Sequence, residues 1–142
     1  MMISTRGRYA LRVLIDLAEH SGGNTIPMKE VAERQDISLK YLERILPLLT
    51  KSGYVEGFHG KGGGYRLGKE PEAIRVGDVL SLTEGELAPV ACLVSGADPC
   101  DKAGECRTLG MWKEFYRLTN EYFDGITIAD LMKTDFGNDY VI

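Results

Sequence analysis

Cys92, Cys100 and Cys106 are the residues of this 142-residue chain whose type and spacing most directly promise chemistry. They are its only three cysteines, separated by seven and five residues, in a segment that Gly96, Pro99 and Gly104 allow to turn so that all three thiols could converge. Thiolates are soft ligands suited to iron-sulfur clusters or zinc, and such spacings let one loop wrap an ion or a cluster. The pattern is not the Cys-x2-Cys of a zinc knuckle. An odd number of clustered thiols also fails the disulfide frame of a small secreted domain, so metal ligation or redox sensing fits better. An enzyme is not indicated. There is no Cys-x-x-Cys pair, no pair of carboxylates in a recognisable frame, and the only histidines, His20 and His59, offer no base beside a thiol.

A second group of residues points to nucleic acid. Ile37 to Leu67 reads as a helix followed by two short strands. Ser38 suits a helix start, Leu42, Ile45, Leu46 and Leu49 recur at helical spacing, and Gly53 suits the end. Lys40, Tyr41, Glu43 and Arg44 fall on the outward face of that helix. Tyr54 to Phe58 and Tyr65 to Leu67 then pair across a tip containing His59, Gly60, Lys61, Gly62, Gly63 and Gly64. A short helix from Pro27 through Arg34, with Val31 and Ala32 facing inward, and the tight turn Gln35-Asp36-Ile37 make this second helix the reading arm of a winged helix-turn-helix. The glycines are not a nucleotide loop, because Tyr65, Arg66 and Leu67 return as a strand and open no helix. Pro47 lacks an N–H for the carbonyl of Glu43, so the reading helix is expected to bend or loosen there.

Charge supports the same reading despite a net charge of −4. Residues 1–69 hold 11 Lys+Arg against 7 Asp+Glu, whereas residues 70–142 hold 6 against 14. A basic front and an acidic back suit a protein that places one face on phosphate and keeps the other off it. No apolar run is long enough to span a bilayer and the first residues lack a signal peptide's apolar block, so a cytoplasmic protein without a membrane partner is expected.

The elements that must position these groups are helical. Residues 5–20 form a first helix whose Ala10, Leu11, Val13, Leu14, Ile15, Leu17 and Ala18 cover so much of its surface that it should be buried on two sides, one of them against something beyond its own domain. Arg12, Asp16 and Glu19 mark its wet edge, and Arg6 and Arg8 lie at its start, where a phosphate contact is expected. Ile74, Val76, Val79, Leu80 and Leu82 make a short closing helix. After the cysteines, a helix from about Thr108 to Phe123 carries Met111, Phe115, Leu118 and Tyr122 on one stripe and Leu109, Trp112, Tyr116, Thr119 and Phe123 on another. Two apolar faces need two partners, and a two-fold dimer supplies the second. Thr127 with Asp130 resembles a capped start for a last short helix, and the tail from Thr134 reads as loosely held. The expected class is mainly α with a small β-hairpin wing. A winged helix-turn-helix domain spans 1–85, a cysteine-containing sensor loop 86–107, a dimerisation helix and short C-terminal helix 108–133, and a tail 134–142.

With STRGRYALRVLIDLA, ISLKYLERIL, GKGGGYRLG, the three-cysteine loop and ITIADL in this order, the sequence resembles the bacterial IscR-like (Rrf) family of winged-helix transcription regulators from about Met2 to Lys133. The resemblance implies a homodimer on a palindromic promoter site in double-stranded DNA. Ser38, Lys40, Tyr41, Glu43 and Arg44 match its reading helix, and His59, Lys61, Gly62, Gly63, Gly64 and Tyr65 its wing. It also implies an iron-sulfur cluster at Cys92, Cys100 and Cys106, with 2Fe-2S favoured over 4Fe-4S. In the member after which the family is named, a histidine follows the third cysteine by three positions. Leu109 stands there in this chain, so the fourth ligand is unassigned; Asp98, Asp101, Glu105, a partner-subunit residue and a small thiol are the candidates. The alternative within the family is a cluster-free regulator controlled by thiol oxidation or by a protein partner such as a cysteine-biosynthesis enzyme.

Overall fold

Ser4 begins the first helix by accepting a hydrogen bond from the Gly7 N–H at 3.2 Å, and α1 runs from Thr5 to His20. In the computed structural model, which describes residues 2–98 and 100–132, this helix is the spine. Ala10, Val13, Leu14 and Leu17 are fully buried, and Leu11, Ile15 and Ala18 pack around them. The packing expected beyond its own domain comes from the end of the chain, since α1 touches the last helix, Ile128–Leu131, as well as elements of the first 85 residues.

After Gly22 and Gly23, α2 (Met28–Gln35) starts directly behind Pro27, whose φ of −60° suits a helix entry. Asp36 then takes a left-handed φ of 53°, which turns the chain sharply enough for Ser38 to cap α3 (Leu39–Lys51) through the Tyr41 N–H at 3.0 Å. Leu42, Ile45, Leu46 and Leu49 are the buried stripe of α3. The helix carries on through Pro47 to Lys51. Pro47 is exposed, so the Glu43 carbonyl that lacks its donor lies on the side open to water.

Strands β1 (Val55–Phe58) and β2 (Gly64–Leu67) pair antiparallel, with Val55 opposite Leu67 and Phe58 opposite Gly64. The sequence pattern did not reveal a third partner. Ile26 exchanges two backbone hydrogen bonds of 2.8 Å with Tyr65, so the hairpin is pinned to the segment entering α2. Next come α4 (Val76–Glu84), α5 (Leu109–Asp124) and α6 (Ile128–Leu131). The chain at α6 folds back on the front of the molecule. The Ile128 N–H donates to Ile74, the Val76 N–H donates to Ile126, and Ile128 is fully buried in the core that α1 organises. Thr127 and Asp130 form a reciprocal capping box. The expected loose tail from Thr134 lies outside the described residues. Among the described residues, no helix is long and apolar enough to cross a membrane.

Asp16 corrects the expected wet edge of α1, because it is fully buried. Its Oδ1 accepts from Arg34 Nη2 at 2.8 Å, and its Oδ2 accepts from Arg34 Nε at 3.0 Å and Gln35 Nε2 at 2.9 Å. Arg12 donates to both the side chain and the backbone carbonyl of Gln35. Burial alone would raise the Asp16 pKa, but the hydrogen bonds from Arg34 and Gln35, with the charges of Arg34 and His20, outweigh it and hold the carboxyl below its usual value. A carboxylate depressed on folding stabilises the fold above its unfolded pKa of about 4, and that contribution is lost as pH falls through the folded value. Asp16→Ala should destabilise the protein by about 3 kcal/mol, the low end for a broken buried pair, because Arg34 keeps partial access to water. Asp16→Asn should flatten the acid limb of stability. Urea titrations from neutral pH to about pH 3 read both effects, and a wild-type acid limb retained in the Asn variant would refute the assignment.

Candidate nucleic-acid interface and thiol site

The buried stripe of α3 turns Lys40, Glu43 and Arg44 outward, and all three are exposed. Tyr41 is half-buried instead. Its ring meets that of Tyr9 edge-on, with centroids 5.3 Å apart, and Arg12 lies over the Tyr9 ring at 5.3 Å. Glu43 and Tyr65 line one hollow of about 210 Å³ with Leu46, Pro47 and Thr50, so reading helix and hairpin share a concave face. Of the sequence-predicted residues, Arg6 sits apart from that hollow and is already engaged, donating to the Thr83 carbonyl.

His59, Lys61 and Gly62 lie exposed at the hairpin tip. A hydrogen bond from the Gly63 N–H to the Gly60 carbonyl (2.9 Å) closes the tip, and Thr25 Oγ1 donates to the Gly62 carbonyl at 2.8 Å. The glycine run has an internal reason. A Cβ on Gly63 would stand 2.4 Å from the Phe58 carbonyl oxygen, and one on Gly64 2.6 Å from the Ile26 carbonyl carbon. Farther along, Arg66 pairs with Glu56 at 3.1 Å and covers the Phe58 ring at 4.7 Å, while Lys69 lies over Tyr54 at 4.9 Å.

Cys92, Cys100 and Cys106 all line one surface hollow of about 180 Å³, together with Leu93, Ala103, Leu109 and Lys113. Cys92 sits in a short turn, Ala91–Leu93, and Cys106 lies just before Thr108, the residue that precedes α5. All three are exposed and none is in a disulfide. The Cys106 thiol lies 3.5 Å from Thr108 Oγ1, and that hydroxyl with the backbone of Thr108 and Leu109 holds its pKa below the usual thiol value. Among the described residues, no three Cys, His, Asp or Glu side chains stand close enough to hold a single metal ion. A larger groove of about 740 Å³ runs past Gly22, Arg66, Lys69 and Glu72 and includes none of the thiols.

Comparison with known proteins resolves what such a pairing of sites belongs to. The Rrf2 family, described as "Iron-dependent Transcriptional regulator", matches residues 3–134. The chain belongs to this family. It is a DNA-binding winged-helix transcription regulator, and its relatives are named as regulators, not enzymes. The HTH-type transcriptional regulator IscR of Vibrio campbellii is 35% identical over 133 residues, covering 94% of this chain and 78% of that protein. Among solved structures, T. potens IscR is 33% identical with a TM-score of 0.75, covering all of this chain and 93% of that one. CymR, titled the global cysteine regulator of B. subtilis, is also 33% identical with a TM-score of 0.75, covering 92% of this chain and 95% of the other.

Residue typing missed the supports of this Rrf2-family site. Tyr9, Arg12, Asp16, Arg34 and Gln35 fix the reading helix without facing outward from it, and Lys113 lines the thiol hollow from α5. A signal existed for Asp16, which follows buried Val13 by three residues and so shares its helix face. Lys113 follows Leu109 by four, which placed it above the same hollow. For the wing, Gly64→Ala should cost about 1–3 kcal/mol by overpacking against Ile26 and unseat the hairpin. Gly104→Ala meets nothing within 4 Å and should leave the unfolding midpoint unchanged. Thermal unfolding of the two variants side by side is the check, and equal midpoints would contradict the pinned wing.

Proposed function

We propose that this protein is a cytoplasmic homodimer that binds a palindromic site in double-stranded DNA under control of an iron-sulfur cluster, 2Fe-2S rather than 4Fe-4S, held by Cys92, Cys100 and Cys106. The observation that carries this reading is that three cysteines line one hollow at the start of a helix whose outer stripe is exposed. Met111, Phe115, Leu118 and Tyr122 are 43–55% exposed on α5, while Tyr116 and Phe123 on its other face pack on Val76, Leu80 and Leu87. A row of large apolar side chains four and three residues apart suits pairing with its own copy across a two-fold axis.

The donor set fits a cluster in kind. Three soft thiolates beside Leu93, Ala103 and Leu109 suit iron-sulfur ligation, and a cluster carries its own sulfides and so accepts ligands set wider than around one ion. Leu109 cannot ligate, so the three cysteines need a fourth ligand, for which Asp98, Asp101, Glu105, a partner-subunit residue and a small thiol are the candidates. When bound, such a group supplies an iron- and redox-dependent tie between the thiolates. The chain's part is mechanical. With its thiolates tied, the segment from Ala91 to Arg107 is held in one arrangement at the root of α5, and with them free in another, which alters the spacing of the two reading helices. Dimeric readers need half-sites about 34 Å apart, so a small rotation weakens binding.

On the DNA side, Ser38, Lys40, Tyr41, Glu43 and Arg44 form the major-groove set. His59, Lys61, Gly62, Gly63, Gly64 and Tyr65 form the wing, and Arg6 is the α1 contact. Glu43 accepts from a cytosine amino group, and Lys40 or Arg44 donates to guanine or phosphate. A second reading, control by thiol oxidation or by a protein partner, draws support from the exposure of all three thiols, the lowered Cys106 thiol and the likeness to a cysteine regulator.

Anaerobic purification followed by a visible spectrum and iron and sulfide assays should return a coloured protein with both elements, and operator affinity should differ between loaded and stripped forms. A colourless, iron-free product would transfer weight to the second reading, and equal affinities would remove the sensor role. Glu43→Ala should cost about 1 kcal/mol or more of discrimination at one operator base while changing overall affinity less. Binding to a panel of single-base operator variants reads this, and an unchanged preference at every base would sink the assignment.

A further inference from the structure

Between the cysteine segment and the start of α1 lies a strap of three residues, Glu84-Gly85-Glu86, whose two carboxylates hold different parts of the molecule. Glu84, the last residue of α4, accepts from the Ser4 backbone N–H and from Ser4 Oγ, the latter at 2.7 Å. Beside it Arg6 donates to the Thr83 carbonyl. The fit is close, since a Cβ on Gly7 would stand 2.8 Å from Glu84 Oε1 and 3.0 Å from Thr83 Oγ1. The N-terminus of α1 is therefore seated on the end of α4, with a carboxylate at the end of the helix that favours an anion.

Glu86 holds the other side. Its Oε2 accepts from the Ser95 N–H at 2.9 Å and from the Tyr116 hydroxyl at 3.4 Å. Ser95 lies between Cys92 and Cys100, and Tyr116 lies on α5, so one carboxylate ties the thiol-bearing segment to the helix that follows it. Gly85, with a left-handed φ of 74°, is the only residue between the two acids. A shift of Ser95 thus reaches Ser4 through two carboxylates and the two peptide links around Gly85, and Arg6 through the adjoining Thr83 carbonyl.

We propose that Glu86 and Glu84 are positioning residues through which the arrangement of the Cys92–Cys100 segment sets the seat of the α1 N-terminus, and with it the reach of Arg6 and Arg8 toward a DNA phosphate. The proposal rests on the cysteine loop being the sensor. It adds a route within one subunit to the change in spacing between subunits. Phosphate and the Glu84 carboxylate are alternative anions for the same helix end, and Arg6 is held by Thr83 only while that seat is kept. Both sites thereby bias a single element with two arrangements, which is the physical requirement for coupling.

The test compares wild type, Glu86→Ala, Glu84→Ala and the double variant, each reconstituted with ferrous iron and sulfide and each stripped by chelation. The readouts are operator affinity and amide hydrogen exchange over residues 4–8. In wild type the two forms should differ in affinity, and either single variant should reduce that ratio at least threefold. Glu86→Ala should leave stripped-form affinity within about twofold, and the double variant should lose little more than either single one, as expected for one path. A purely structural role would instead shift both forms together and keep the ratio, and a ratio kept in Glu86→Ala overturns the proposal. If wild type itself shows no ratio, the sensor reading fails and exchange alone decides the strap. Faster exchange at Gly7 and Arg8 in Glu86→Ala upholds the mechanical link, and unchanged exchange overturns it.

Discussion

A carboxylate with no access to water, Asp16, ties the end of α2 and so sets the direction in which α3 leaves it. Apolar contacts among Val13, Leu17, Val31 and Leu42 hold α1, α2 and α3 together, yet such contacts are non-directional and tolerate sliding. The hydrogen bonds from Arg34 and Gln35 to Asp16 do not. They are charge-assisted and two of them come from one guanidinium, so they specify orientation as well as distance. Both donors lie at the end of α2, four and three residues before Ser38, which caps α3. Arg12 adds a second hold on Gln35 and, through Tyr9, backs the ring of Tyr41. The outward set on α3 is thus aimed by residues that do not themselves face the DNA side.

The wing shows the same division between display and support. His59 and Lys61 are displayed, whereas Gly63 and Gly64 are required by neighbouring backbone and not by a phosphate. Glycines permit close backbone approach, and in this hairpin part of that closeness is spent inside the protein, against Phe58 and Ile26. What the wing offers a nucleic acid is therefore a fixed, basic tip. A tip pinned by Ile26 and by the Thr25 hydroxyl needs less ordering on binding than a free glycine loop.

Much of this was legible in the sequence because the signals were local. Helical spacing located α1, α3 and α5, Ser38 and Thr127 located caps, and the return of Tyr65-Arg66-Leu67 after the glycines located the hairpin. The two apolar stripes of α5 were separable by spacing alone, and the structure buries part of one and leaves the other bare. The misses required knowledge of partners far along the chain. Asp16 reads as a surface acid until Arg34 and Gln35 are brought beside it. Ile26 reads as a loop residue until Tyr65 arrives, and Ile128 reads as part of a C-terminal helix until it enters the core of α1. Spacing put the three cysteines in one loop, but the place of Lys113 on the hollow they line depended on how α5 leaves that loop.

Packing gives the thiol hollow and α3 a shared support. Leu11 of α1 leans on the small second core of Val76, Leu80 and Leu87, the same core that receives Tyr116 and Phe123 from α5. Ala10, Val13 and Leu14 of the same helix lie in the main core with the buried stripe of α3. One helix therefore belongs to both cores. Close-packed interiors transmit displacement because they have little free volume in which to absorb it. A movement of α5 at its root, beside Cys106, presses on α4 and α1 before it can be dissipated, and α1 carries both the charged network that aims α3 and the basic residues at its own start. Had α5 packed only on its own copy, the cysteine segment could rearrange without the reading helix registering it. The half-buried inner face of α5 removes that freedom.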